Sequence, residues 1–477
     1  MASSLPTNQA RFTRAELIEA TGGSCDPFEG EVSSIVTDTR AEMAGGLFVA
    51  LRGERFDGHN FAAEALQKGA RVVLVEENVG DIGGATLRVP STLDALGHLG
   101  AYHRRRWGRR VAAVAGSVGK TTTRTAVFSV ASAAGKAAAC PPGNLNNRIG
   151  VPLVLLSLAH YHELAVVELG TSEPGEIERL TRMADPDVAV LTRIALEHSE
   201  GLGDLDAIEQ EEGALLRGLR KNAVAVVNGD DDRCLRQLAA SPAARQISYG
   251  FRAASRKLKQ HYRILGQESR GEGSRVRIER PDAALLDVRS PLLGPPGAYA
   301  FTAALAAIEG LMGRSLTGEE VERALAAPTL GEPGRLSPVE LPDGSLVLDD
   351  SYNSSPASVK SSVGVARQLA DARGGRLLLV LGEMRELGPL SAEAHRDVGR
   401  ELIESRPDLL IAFGGDAALF LEEPKRSGVP VELAADAPAA LEIVRASRAP
   451  GDVILVKASR SLRAERIVDG LKGAEAP

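Results

Sequence analysis

Residues 111–123 read VAAVAGSVGKTTT, an apolar run that breaks into a glycine-bearing loop and then a lysine and three threonines. Val111 to Ala115 predict a strand. Gly116, Ser117, Val118 and Gly119 predict a turn, and Lys120, Thr121 and Thr122 open an alanine-rich helix. N–H groups at such a helix start point at an anion, and the helix dipole favours negative charge there. A lysine in this place reaches the outer phosphates of a nucleotide, and a threonine hydroxyl beside it suits Mg²⁺. The standard spacing asks for a glycine at 114, where this chain has Val114; Gly116 supplies the flexible position instead. ATP is the nucleotide expected here, with Mg²⁺.

Other groups that can do chemistry follow apolar runs. Glu168 ends LAVVELG, where a carboxylate beside a phosphate loop suits a Mg²⁺ ion. His198 follows the next run, in LTRIALEHSEG. Two such residues after successive strands of one sheet point to a shared site. Asn144, Asn146 and Asn147, in PGNLNNRIGVP (142–152), offer both donors and acceptors. In LDDSYNSSP (348–356), Asp349, Asp350, Tyr352 and Asn353 suit a ribose, a metal-bound nucleotide or an amino-acid ammonium. LGEMRELG (381–388) and KASRS (457–461) add to a polar rim.

The elements that must position these groups read as α/β. Near-continuous Val/Leu/Ile runs at 71, 110, 164, 187, 223, 376, 409 and 452 alternate with helical stretches, as parallel strands covered on both faces do. Three blocks result: 1–107; 108–329, carrying the phosphate loop; and 330–477. Residues 258–292 alternate differently and predict a small antiparallel flap. A chain of 477 residues is too long for one core. Its net charge of −7 excludes a general nucleic-acid binder, and the basic HRRRWGRR (103–110) reads as a solvated domain junction. No run reaches membrane-spanning length, and three scattered cysteines give neither a disulfide framework nor metal spacing. The chain reads as a cytoplasmic monomer.

These motifs, in this order, resemble the Mur ligase family over nearly the whole length. TDTR (37–40), LFVALRG (47–53) and FDGHNF (56–61) resemble its N-terminal UDP-sugar domain. GSVGKTT, GNLNNRIGVP, VVELG and EHSEGLG resemble its central ATP domain, and LDDSYNSSP, LGEMRELG with His395, and KASRS its C-terminal Rossmann-like domain. The resemblance implies an ATP-dependent ligase that joins a carboxylate to an amine through an acyl phosphate. GNLNN, DDSYN and LGEMRELG imply that the substrates are UDP-N-acetylmuramoyl-tripeptide and D-alanyl-D-alanine, in peptidoglycan precursor synthesis. It also implies residue roles: Lys120 at the transferred phosphate; Thr121 and Glu168 at one Mg²⁺ and His198 at a second; Arg335 and Asp349 at the nucleotide; Thr39 and Arg40 at the UDP moiety; Asn144, Asn146 and Asn353 at the substrates. Two other readings stay open: a related ligase with another acceptor, as in folylpolyglutamate synthases, and a nucleotide-sugar-binding homologue without turnover.

The chain departs from the family at four places. The lysine that carries a carbamate is absent from AIEQEEGALL (207–216); by register Glu212 takes its place, with Glu211 next, and it is expected to supply a fixed catalytic anion near the metal. The H-N-x-x-N segment that helps hold adenine is replaced by Tyr299–Ala303, so loose base selectivity is expected. Arg193 and Ala458 stand where asparagine and glycine are usual.

Overall fold

The structure, a computed structural model, describes residues 6–473 except 54–55, 77–78, 142, 254–257, 259 and 272. Pro142 of the Asn loop and part of the expected flap therefore lie outside the described residues.

Branched apolar runs suit a pleated surface, and the Gly, Asp and Asn residues between them end it. In the N-terminal region these runs form β1 (Ser24–Cys25), β2 (Ile35–Val36), β3 (Leu47–Val49), β4 (Val72–Val75) and β5 (Ala85–Arg88), in spatial order β1-β5-β4-β3-β2. All neighbours are parallel except β1 and β5. Helix α1 (Thr92–Trp107) leads onward; the Ser91 hydroxyl caps its start by accepting the Asp94 N–H, and Gly108 ends it at φ +67°. Its last turn holds the basic cluster. Arg104 there is buried rather than solvated, donating to the carbonyls of Ala184 and Asp185, so the cluster pins two domains together.

The central sheet holds β6 (Arg110–Ala115), β7 (Ala138–Ala139), β8 (Leu164–Glu168), β9 (Val188–Leu191), β10 (Val224–Asn228), β11 (Arg245–Gly250), β12 (His261–Arg270), β13 (Gly273–Glu279) and β14 (Leu285–Ser290). Its order is β14-β13-β12-β11-β10-β9-β6-β8-β7. Pairing is parallel from β12 to β7 and antiparallel across β12, β13 and β14. The segment expected as a flap is thus the far edge of the main sheet. Helices α2 (Lys120–Ala133), α3 (Leu205–Arg217) and α4 (Gly294–Met312) cover it. Val114, Val127, Val226 and Phe301 pack on one face, with α2 and α4; Ala113, Val167, Ile208 and Leu215 pack on the other, with α3. Chain order reverses at β6, which has β8 on one side and β9 on the other. Ligands of open α/β sheets bind at the carboxyl ends of strands at such a reversal.

The C-terminal sheet holds β15 (Ser337–Glu340), β16 (Leu346–Asp350), β17 (Leu377–Gly382), β18 (Leu409–Phe413), β19 (Val431–Ala434) and β20 (Val453–Lys457), ordered β15-β16-β20-β17-β18-β19. Only β15 is antiparallel to its neighbour. Among the described residues no helix is long and apolar enough to cross a membrane.

Candidate active site

At the end of β6 the chain turns sharply. Gly116 has φ +122°, and a Cβ there would lie 2.3 Å from Thr192 Oγ1, so only glycine fits. Val114 is a fully buried strand residue two positions earlier, which is why no glycine is needed at 114. The Ser117 N–H donates to the Arg193 carbonyl at 2.6 Å, and its hydroxyl accepts the Ala195 N–H at 2.9 Å. Gly119, at φ +87°, starts α2 with no side-chain cap, which leaves the first helical N–H groups for a ligand.

This loop lines a cleft of about 870 Å³ between the central and C-terminal sheets. Lys120 is nearly buried there and donates to Glu197 Oε1 at 2.7 Å. Burial opposes its charge, but Glu197 and Glu212 outweigh that and hold its pKa above the ordinary value. Glu197 carries no mark in the sequence; the turn after β9, which puts His198 at φ +51°, decides that it faces Lys120. His198 lines the cleft, with Nδ1 2.5 Å from Glu386 Oε2 of the C-terminal domain. Burial pushes its pKa down, yet the contact with Glu386 and the charge of Glu197 raise it overall. A metal ligand must be the neutral imidazole, so a cation at His198 would have to displace the contact with Glu386.

Glu168 ends β8 as expected and is buried. Asn146 Nδ2 donates to its Oε1 at 2.8 Å, while Oε2 has no hydrogen-bond partner. The nearest cation is Arg124, whose Nε lies 3.9 Å from that oxygen and is itself unpartnered. Arg124 donates to the Gly143 carbonyl and to Glu332 Oε1, both at 2.6 Å. Arg335 Nη2 reaches Thr121 Oγ1 at 3.0 Å, and its guanidinium lies 3.9 Å from the Tyr352 ring centre. Arg124, buried on α2, was not legible as a site residue.

The facing wall comes from β16, β20 and the loop after β16. Lys457 donates to Asp350 Oδ2 at 2.6 Å and to the Asn353 carbonyl at 2.8 Å, and burial holds its pKa below the ordinary value despite Asp350. Asn144, Asn146 and Asn353 line the cleft, as do Ser117, Val118, Thr121 and Thr122. Asp349 does not; its carboxylate accepts the Ser351 N–H and hydroxyl, whereas its neighbour Asp350 lines the cleft. Ala458 is buried against Gly382, whose missing side chain makes room for the extra methyl.

Thr39, Arg40 and Glu212 also stand apart from the cleft. Thr39 and Arg40 follow β2 in the N-terminal domain, where the exposed Arg40 pairs with Asp38. Glu212 lies behind the phosphate loop rather than on the cleft wall, its Oε2 accepting the Gly116 N–H at 2.8 Å. Burial pushes its carboxyl up to about 7, against the pull of Lys120 and the Gly116 N–H. A second cavity, of about 740 Å³, adjoins the loop at Val118, Gly119 and Thr123 and includes Arg193, Asn228 and Phe251. Tyr299, the counterpart of the missing adenine motif, lines it and donates to Asp230 Oδ2 at 2.6 Å.

Three family descriptions match this chain: Mur ligase family, catalytic domain, over residues 31–103; Mur ligase middle domain, over 114–308; and Mur ligase, glutamate ligase domain, over 334–460. The chain is similar to the UDP-N-acetylmuramoyl-tripeptide–D-alanyl-D-alanine ligase of Escherichia coli, with 33% identity over 96% of this chain and 98% of that one. The structure resembles that of MurF from Acinetobacter baumannii, with a TM-score of 0.86 and 30% identity over 98% and 99% of the two chains. It also resembles the MurF ligase of Thermotoga maritima in complex with ADP, with a TM-score of 0.79 and 26% identity over 92% and 97%. The chain belongs to the Mur ligase family, with that family's three-domain α/β fold and its ATP-dependent ligase chemistry.

Proposed function

We propose that this protein joins D-alanyl-D-alanine to UDP-N-acetylmuramoyl-tripeptide in the cytoplasm, forming ADP and phosphate. The observation that carries the reading is the cleft itself, with the phosphate loop on one wall and the DDSYN loop on the other. A carboxylate is a poor electrophile. Transfer of the γ-phosphoryl group to it gives an acyl phosphate and ADP; the dipeptide amine then attacks the acyl carbon, phosphate leaves, and the amine nitrogen gives up its proton. Such transfer asks the protein for positioning and charge neutralisation rather than covalent help.

Lys120 leaves Glu197 for the transferred phosphate, and the N–H groups at the start of α2 face it. Arg335 stands beside Thr121 to hold the outer nucleotide charge. Asn353 and Asp350, fixed by Lys457, face the incoming dipeptide, and Thr39 and Arg40 hold the distant UDP group. The residues present also fit a Mg²⁺ ion, because Glu168 Oε2 is a buried carboxylate oxygen without a hydrogen-bond partner. Mg²⁺ takes one or two carboxylates with hydroxyl, water and phosphate oxygens, so Glu168 and Thr121 would hold it. It would offset the charge of the phosphoryl group in transfer.

Phosphate release tests this directly. It should require ATP, the UDP-tripeptide and the dipeptide together. Lys120→Ala should lose about a hundredfold or more in rate while remaining folded. Release with the dipeptide replaced by glutamate would assign the site to another acceptor, and near-wild-type release by Lys120→Ala would remove the phosphate-loop assignment.

A further inference from the structure

We propose that Glu212 is a positioning residue for the phosphate loop, holding the Gly116 amide inward from α3 so that the following amides and Lys120 face the cleft. The inference rests on the nucleotide reading of that cleft. Glu212 is 1% exposed, lines neither cavity, and spends one carboxylate oxygen on the first N–H of the loop. Gly116 is the pivot, since its positive φ sets the direction in which residues 117–119 leave the strand. The next residue is already clamped through Arg193 and Ala195. The Gly116 N–H is tied to a side chain from a different element, so the loop is anchored from two directions.

Without the acceptor, a buried N–H is left unpaired, which costs enough to make a small rotation of the loop competitive. That rotation would misdirect the amides a phosphate needs. A role confined to fold stability would lower thermal stability and leave the nucleotide affinity of the folded protein alone. A positioning role moves the affinity itself.

The experiment compares wild type, Glu212→Ala, Glu212→Asp and Glu212→Gln by calorimetric ADP binding and by amide hydrogen exchange at residues 116–119. Glutamine keeps an acceptor oxygen at the same reach; aspartate keeps the charge and loses the reach. Glu212→Ala and Glu212→Asp should bind ADP about tenfold or more weakly, with faster loop exchange, whereas Glu212→Gln should stay within about threefold of wild type. In turnover, the KM for ATP should rise in the first two variants while the KM for the dipeptide holds. Should alanine prevent folding, the contrast between Asp and Gln carries the test. Wild-type affinity and exchange in Glu212→Asp, or a loss in Glu212→Gln as large as in Glu212→Asp, would overturn the proposal. Failure of the wild-type protein to bind ADP would instead overturn the nucleotide reading of the cleft.

Discussion

Behind the phosphate loop, burial raises the Glu212 carboxyl to about 7, although Lys120 and the Gly116 N–H pull the other way. The sign of the effect on stability follows. In the unfolded chain the group loses its proton near its ordinary value, while the folded protein keeps it until about pH 7. The folded state therefore binds more protons between those values, and its stability falls as pH rises through that window. Glu212→Gln removes this titration. Denaturant midpoints of the two proteins at pH 5, 6 and 7.5 should show the variant gaining on wild type as pH rises. A constant difference would mean that Glu212 titrates normally.

At the same scale, residue types proved easier to read than directions. Lys120, Thr121 and Glu168 were legible because each is fixed by its position at the end of a strand or the start of a helix. Asp349 and Asp350 were not separable. Every residue of β16 is buried, so no polar alternation says which side chain faces the cleft. That Glu197 faces Lys120 rests on a left-handed residue in an irregular turn, and the burial of Glu212 rests on where α3 packs.

Among the elements, α2 sets a buried cation against the carboxylate at the end of β8. Arg124 is the cation between Glu168 and Glu332, and its Nε and Glu168 Oε2 face each other without bonding partners. Replacing it with methionine leaves a buried carboxylate uncompensated, a change that typically costs about 3 kcal/mol. Arg124→Met should show that loss in chemical denaturation. A divalent cation at Glu168 would restore part of it, so Mg²⁺ should raise the melting temperature more in the variant than in wild type. Equal Mg²⁺ responses would separate Glu168 from the metal. The strands that carry uninterrupted Val/Leu runs were legible as elements, because such runs have few other places to go; the short β1, β2, β7 and β19 carry no such run and were not. The antiparallel 258–292 region was legible too, but its attachment to the main sheet was not, since edge pairing leaves no mark on periodicity. The same limit applies to the second cavity. No asparagine survives in Tyr299–Ala303, yet packing brings Asn228 from β10 to that cavity. The sequence-based expectation remains that GTP or ITP supports a measurable part of the ATP rate, because a base is discriminated chiefly by polar contacts to its edge. Strict ATP preference that relaxes in Asn228→Ala would assign the reading to that side chain.

For the whole molecule, the cleft works only while two sheets from different domains face each other. Several contacts cross between them: Arg335 to Thr121, Arg124 to Glu332, His198 to Glu386, the Ser199 hydroxyl to the Leu387 carbonyl at 3.0 Å, and the Glu200 N–H to the Glu386 carbonyl at 3.1 Å. They differ in kind. The Glu386 side chain is 60% exposed, and an ion pair so open to water contributes at most about 1 kcal/mol. The two bonds to backbone carbonyls at 386 and 387 do not depend on that side chain. Glu386→Ala should therefore leave the melting temperature and the radius of gyration in solution scattering close to wild type. Arg335 stands at a different kind of contact, bonded to Thr121 and stacked on Tyr352 at once. Arg335→Ala should raise the KM for ATP by about tenfold, as expected when one charge-assisted hydrogen bond to a nucleotide is lost. An expanded radius in Glu386→Ala would place the hold between the domains on that carboxylate after all. An unchanged KM in Arg335→Ala would make Arg335 a strut between the sheets rather than a ligand of the nucleotide.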